Sequence, residues 1–399
     1  MGHKRTKALG AVVRADRQAG RRLLHVEQLE NQRMLSGGLQ ADLGHRQSQL
    51  SDGSCAFHFE PFEGTLDQWG EILETLPDRE IFQTPQWIRF VAESQGAIPI
   101  IAVLKDRSDT VGYFTGLVVH KFGLQILGSP FVGWTTDCMG FNLMPGVPVC
   151  SALKALVHYA FHDLGCVHLE LANSQVGRED AEKLGFQTSV YHNHVVDLTQ
   201  DEDQLYQKMH PKSCRARIQK AARLGVVIEE AHDETFADDY YAQLCDVFAK
   251  QSLVPTYGVD RVQLLIRHLL PTGNLQLLRA CDPQGRCIAT GIFVGLNQTA
   301  YFWGNASWRQ DQHFSPNEAI HWQAIRHWRQ RGMKHYELGP GNYTDKYGGE
   351  LSERVWCRKA RYRCIGWARD CAQGAFHLHQ RIAGLVEEVY TRTIHRKAA

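Results

Sequence analysis

SALKALVHYAFHDLGCVHLELANS (residues 151–174) and NEAIHWQAIRHWRQRGMKHYELGPGN (residues 317–342) follow one plan. Each reads as an amphipathic helix, a glycine, a short strand ending in glutamate and a polar turn. Gly165, His168 and Glu170 correspond to Gly332, His335 and Glu337 at a constant offset of 167. Past the strand, EKLGF (182–186) aligns with DKYGG (345–349) at an offset of 163, so the second loop is four residues shorter. Upstream, IIAVLKDRSDTVGYFTGLVV (100–119) and LQLLRACDPQGRCIATGIFVG (275–295) both read as strand, turn, strand. Self-similarity of this kind marks two copies of one supersecondary unit. The expected fold class is α/β (α+β), with two tandem units, each a mixed, mostly antiparallel sheet flanked by helices.

Working outward gives the domain plan. Residues 1–52 form a basic tail expected to be disordered, 53–200 the first unit, 201–370 the second, and 371–399 a C-terminal amphipathic helix or tail. The boundary follows from VVDLTQDEDQL (195–205), where a strand gives way to an acidic linker. A basic helix comes next, closed by Gly225 as a C-terminal stop. The final helix packs on the body or lies on a membrane surface.

The 399 residues suffice for two cores, and 43% hydrophobic with 22% charged residues is a globular profile. Net charge is +1, but unevenly spread. Residues 1–35 hold eight Lys/Arg and three acids, residues 358–399 hold nine and three, and the body holds 27 and 37. Basic ends on an acidic body suit an anionic membrane surface, or are simply solvated. Eleven cysteines without a Cys-x-x-Cys pair argue for a reducing compartment and against a disulfide framework or zinc knuckle. The N-terminus is basic but lacks the apolar stretch of a signal peptide, and no segment has the length of a membrane span. A cytoplasmic location follows, extending to the inner face of the membrane.

Four features together are specific: QTPQW (83–87), RARIQKAARLGV (215–226), AYFWGNAS (300–307) before a proline-marked helix, and the closing YELGPGN with DKYGGE. In order and duplication, from about residue 57 to 365, the chain resembles the FemAB-like branch of the GNAT acyltransferases, including its BioF-type acetyltransferase domains. The resemblance implies two tandem GNAT-like units. It also implies transfer of an acyl group from acetyl-CoA or another acyl-CoA to an amine or hydroxyl of a cell-envelope saccharide or related carrier-linked intermediate, as in polysaccharide biosynthesis. Neither copy contains the Arg/Gln-x-x-Gly-x-Gly/Ala loop that holds coenzyme A in ordinary GNAT enzymes. Two alternatives therefore stand beside this reading. One is an aminoacyl-tRNA-dependent peptidyl transferase, disfavoured by the lack of a long helical hairpin inserted in the second copy. The other is a non-catalytic adaptor on the same scaffold.

Acyl transfer needs a neutral nucleophile, a polarised carbonyl and an acid for the leaving group. The resemblance places Lys346 near the reacting carbonyl, and Lys346→Ala is expected to lower turnover with little loss of stability. The plainer reading is an exposed lysine paired with Asp345 or Glu350. Tyr343, new in the second copy, is the candidate acid. Glu337 and His335 share a strand face, but the repeat of the pair in the first copy suggests an inherited structural contact. FSPNEA (314–319) reads as a capped helix start, with Ser315 as cap, Pro316 at the first position and Glu318 completing a capping box. In the GNAT plan the donor pyrophosphate docks there, which makes Ser315, Asn317 and Trp303 the cofactor-binding candidates. Arg215, Arg217 and Lys220, with Arg223, form a basic stripe for an anionic acceptor, and Tyr301 joins them as substrate-binding. No metal site is expected: His158 and His162 are spaced i, i+4 but lack a third ligand.

Overall fold

The computed structural model describes residues 57–121, 123–249, 253–340 and 344–365. The first unit opens with β1 (Phe57–Pro61), α1 (Leu66–Glu74) and α2 (Pro85–Gln95). A reciprocal capping box between Thr65 and Gln68 starts α1. Thr84 caps α2, Pro85 occupies its first turn, and Gly96 ends it at φ 61°, a left-handed stop that suits glycine. Then come β2 (Ile98–Asp106), β3 (Asp109–Lys121), β4 (Leu124–Ser129), β5 (Gly140–Leu143), α3 (Val149–His158), β6 (His168–Ala172), α4 (Arg178–Lys183) and β7 (Gln187–Asp197).

The second unit repeats the order with α5 (Glu202–Lys208), α6 (Ala216–Arg223), β8 (Val227–Glu230), α7 (Phe236–Ala249), α8 (Val259–Leu269), β9 (Leu275–Cys281), β10 (Cys287–Leu296) and β11 (Thr299–Ser307). It ends with α9 (Pro316–Gln330), β12 (His335–Pro340) and β13 (Glu350–Ala360). The expected basic helix divides into a π turn over Pro211–Arg215 and α6, and the chain turns at Gly225 with φ 75°.

Both units contribute to one sheet in the order β1-β2-β3-β4-β6-β13-β7-β12-β11-β10-β9-β8, with β5 beside β3. The units exchange their last strands. β13 pairs with β6 of the first copy, and β7 pairs with β12 of the second. β7 and β13 pair with each other, and their register sets Tyr191 opposite Arg354. Those two positions differ by 163, the offset that relates the copies here, so the pseudo-twofold axis passes between them. The register obeys it up to the glutamates: Glu337 lies opposite Val195, and Glu170 opposite Arg358.

Three apolar clusters follow this plan. One lies between the units and joins Trp69, Trp87 and Phe90 to Phe236, Tyr240 and Leu265. A second fills the other face of the first unit and includes Cys357 from the exchanged β13. The third fills the matching face of the second unit, with Val196 from the exchanged β7 beside Trp328 and Tyr336. Truncating one such buried aromatic costs about 3–5 kcal/mol. Among the described residues no helix is long and apolar enough to cross a membrane. The two terminal tails, with the expected C-terminal helix, lie outside them.

Candidate active site

The two copies differ where their central parallel strands part. In the second copy β11 and β12 pair only over Thr299–His335, Ala300–Tyr336 and Tyr301–Glu337. Just beyond, β11 carries a bulge against β10, since Ile292 faces Gly304 and Phe293 faces Phe302, which leaves Trp303 as the extra residue. β12 shifts register against β7 at the same level, between Glu337 and Pro340. With both strands bent away, a wedge opens. A cavity of about 60 Å³ occupies it, lined by Phe302 and Trp303 on one side and Leu338 and Gly339 on the other. Strand edges that part leave backbone N–H and C=O groups able to pair with an extended, amide-bearing ligand.

In the first copy the same place is closed. β4 and β6 pair over four positions from Ile126–His168 to Ser129–Leu171, and the chain then folds back as the 130–139 loop. Met139 N–H donates to Ala172 O at 3.2 Å, and Asn173 Nδ2 donates to Met139 O at 2.7 Å. Phe131 lies against Gly128, where an added Cβ would stand 2.5 Å from its ring. Only glycine admits this return.

The displaced loop is used again. Thr135 and Asp137 from it line the second copy's cavity, together with Phe82 of the first unit and Val294, Tyr301 and Glu337 of the second. The site therefore belongs to both units. Its polar groups form a connected set. Glu337 is 4% exposed, and Arg354 donates to its Oε1. Asn193 Nδ2 lies 3.2 Å from Glu337 Oε2 and 3.2 Å from Asp137 Oδ2, bridging the two carboxyls. Tyr301 OH donates to Glu80 Oε2 at 2.7 Å. Three carboxyls share one guanidinium, so burial and mutual repulsion disfavour full ionisation. Burial first, and then the charge of Glu337, push Asp137 up to about 7 against the pull of Arg354 and Asn193. Burial likewise lifts Glu80 to about 7 despite the Tyr301 hydrogen bond. The Tyr301 phenol stays protonated, raised well above its usual range by burial and by Glu80.

The structure brings three expected residues to this cavity: Glu337, Tyr301 and Trp303. Lys346 lies elsewhere. It is 4% exposed, and its Nζ is 2.7 Å from Glu318 Oε1 rather than beside Asp345 or Glu350. Arg217 Nε adds a second, longer contact at 3.9 Å to the same carboxylate. Burial lowers the Lys346 pKa against the pull of Glu318. The capping box is replaced for the same reason: Glu318 turns to the buried ammonium, a stronger partner than a neutral backbone N–H. Ser315 instead takes a left-handed φ of 58° without a side-chain cap bond. Asn317 Nδ2 contacts Ser307 Oγ at 3.3 Å, away from the cavity lining.

Lys220 and Arg223 are exposed on α6, and Arg215 turns to Gln207. His335 sits exposed at the start of β12. Tyr343 lies outside the described residues. No group of three or more His, Cys, Asp or Glu able to hold a metal occurs among the described residues. Glu80, Asp137, Asn193 and Arg354 carry no motif. They converge across 144 positions for Asn193–Glu337 and 221 for Glu80–Tyr301. The repeat could have pointed to Arg354, because it sits on the pseudo-twofold axis.

Comparison with known proteins follows the same lines. Residues 209–347 match the acetyltransferase (GNAT) domain family. The crystal structure of FemX superposes with a TM-score of 0.59 at 12% identity, over 74% of this chain and 96% of that one. A tandem GNAT protein from the clavulanic acid biosynthesis pathway gives 0.47 at 13% identity, over 77% and 99%. L-PGS from Bacillus licheniformis gives 0.45 at 10% identity, over 74% and 95%. No curated protein matches by sequence.

Proposed function

We propose that this chain, a FemAB-like tandem GNAT protein, transfers an acyl group from an acyl-CoA to an amine, with the acyl donor in the β11–β12 wedge and the amine among the carboxyls. The observation that carries the reading is the asymmetry of the copies: one wedge is closed by its own loop, and the other is an open cavity lined by Asp137, Glu337 and Tyr301.

The chemistry divides among the residues present. Glu337, fixed by Arg354 and Asn193, holds the incoming amino group through hydrogen bonds. Asp137, poised near neutral pH, takes the nitrogen's proton as the C–N bond forms and the C–S bond breaks. The departing sulfur takes the Tyr301 hydroxyl proton, which Glu80 replaces. Asp137 then loses a proton to solvent and Glu80 regains one, so protons balance over a turnover. The aromatic walls, Phe82, Phe302 and Trp303, exclude water and strengthen these interactions. The donor's phosphates fit the start of α9, whose Glu318 charge is already neutralised by Lys346. A cell-envelope saccharide amine acted on at the cytoplasmic side of the membrane is the acceptor this reading favours.

The exposed basic residues Lys212, Arg217, Lys220 and Arg223 support a second reading, in which the donor is an aminoacyl-tRNA and the broken bond is its ester. A free-thiol assay separates the two. Acetyl-CoA or a longer acyl-CoA with a panel of amino sugars should release coenzyme A, and release should be lost in Glu337→Gln. Silence with every acyl-CoA, together with transfer from charged tRNA, would replace the first reading with the second. Silence with both would leave the adaptor.

A further inference from the structure

We infer that Arg261, on α8 of the second unit, is a positioning residue that holds the first unit's 130–139 loop in place and thereby sets Asp137 for the acceptor. The inference rests on the acyl-transfer reading for its kinetic consequence, but its structural part stands apart from it.

Arg261 is 5% exposed, an unusual burial for a guanidinium. Its Nη2 donates to the Trp134 carbonyl and lies 3.2 Å from Thr135 Oγ1. Its Cζ stands 5.0 Å from the Tyr257 ring centre and 5.9 Å from that of Trp303, a cavity wall. The charge is thus flanked by aromatic faces on its own side and gives these Nη2 hydrogen bonds to the other unit's loop. One residue further along, the first unit grips the same loop, with Trp87 Nε1 donating to Thr136 Oγ1 at 3.1 Å.

The gripped segment is strained. Thr135 sits at φ 52°, a left-handed conformation that a β-branched residue avoids. Such a conformation persists only where the surroundings over-determine it. Here Arg261 from one side and Trp87 from the other do so, and Thr135 lines the cavity. Asp137 follows two residues later and reaches Asn193. The first copy, whose own wedge is shut, supplies the acceptor side of its neighbour's site, and Arg261 is the bolt between them.

The test uses the full-length protein with Arg261→Lys, Arg261→Met and Thr135→Gly. Hydrogen exchange should rise in Arg261→Met across residues 131–139 and stay unchanged in β4 and β6. With acetyl-CoA and an active amine, the donor KM should stay within about twofold while kcat/KM for the amine falls at least tenfold. The pH–rate limb assigned to Asp137 should also shift. Arg261→Lys, which keeps the charge but lacks the fork, should recover part of the loss. Thr135→Gly should melt higher and still lose acceptor turnover. Unchanged exchange in the loop would overturn the inference whatever the activity. Donor and acceptor parameters that fall in parallel with Tm would overturn it too, by showing a stability effect alone. If no amine is acylated, the acyl-transfer reading fails and takes the kinetic part with it, while the exchange result still decides the bolt.

Discussion

Asp137→Asn should make the protein more stable at alkaline pH and nearly inactive. The carboxyl moves from an ordinary 3.8 to about 7 on folding. Three pKa units at about 1.4 kcal/mol each set a ceiling of about 4 kcal/mol. Because the side chain keeps some contact with solvent, screening reduces this to about 1–2 kcal/mol. The sign follows from proton counts. Between the two values the folded chain holds a proton that the unfolded chain has released, so stability falls as pH rises through this window and is level above it. Asparagine does not titrate and can still accept from Asn193, so the variant escapes the fall. At about 1 °C per kcal/mol for a chain of this length, melting at pH 8 should rise by about 1–2 °C over wild type and match it near pH 4. Turnover should drop by about 10²–10⁴. A variant that melts no higher at pH 8, on a curve parallel to the wild type's, would refute the reasoning.

Other outcomes follow from named contacts. Lys346→Met should take from buried Glu318 its short ion-pair partner, costing about 3–5 kcal/mol in chemical denaturation, and adding Glu318→Gln should recover much of it. On stability this departs from the expectation from sequence that Lys346→Ala costs little. Arg354→Met should destabilise by a similar amount by stranding Glu337, and a double-mutant cycle with Glu337→Gln should return a coupling of about 0.5–3 kcal/mol. Gly128→Ala should force Phe131 out of its seat, costing about 1–3 kcal/mol and reducing activity at the distant Asp137. An alanine there that leaves both unchanged would remove the account of the closed first wedge.

The repeat was legible because it is local: helix, glycine and strand recur at fixed offsets, and each copy's elements form where patterning puts them. The strand exchange was not, since β7 and β13 have the same alternation whichever sheet receives them and their partners are decided in space. At the site, Glu337 was visible as a strand-end acid that the repeat itself read as structural, and Tyr301 and Trp303 from their aromatic strand. Asp137 and Glu80 lie in segments without periodicity, and nothing in their neighbours distinguishes them from surface acids. Lys346 and Glu318 show the reverse case. They carry a plausible motif each, and burial turned them toward one another. The first unit's glutamate at 170 repeats Glu337 but faces a closed wedge, with its Oε1 3.4 Å from His168 Nε2, so the shared pair there is structural.

The central claim is that one wedge of the two receives the donor. Isothermal titration of the full-length protein with acetyl-CoA tests it directly, alongside Thr135→Trp, which places a larger side chain at the cavity wall. The account predicts one molecule bound per chain, and binding lost in the variant while its fold persists by circular dichroism. Two molecules per chain, or binding that survives the filled cavity, would contradict it.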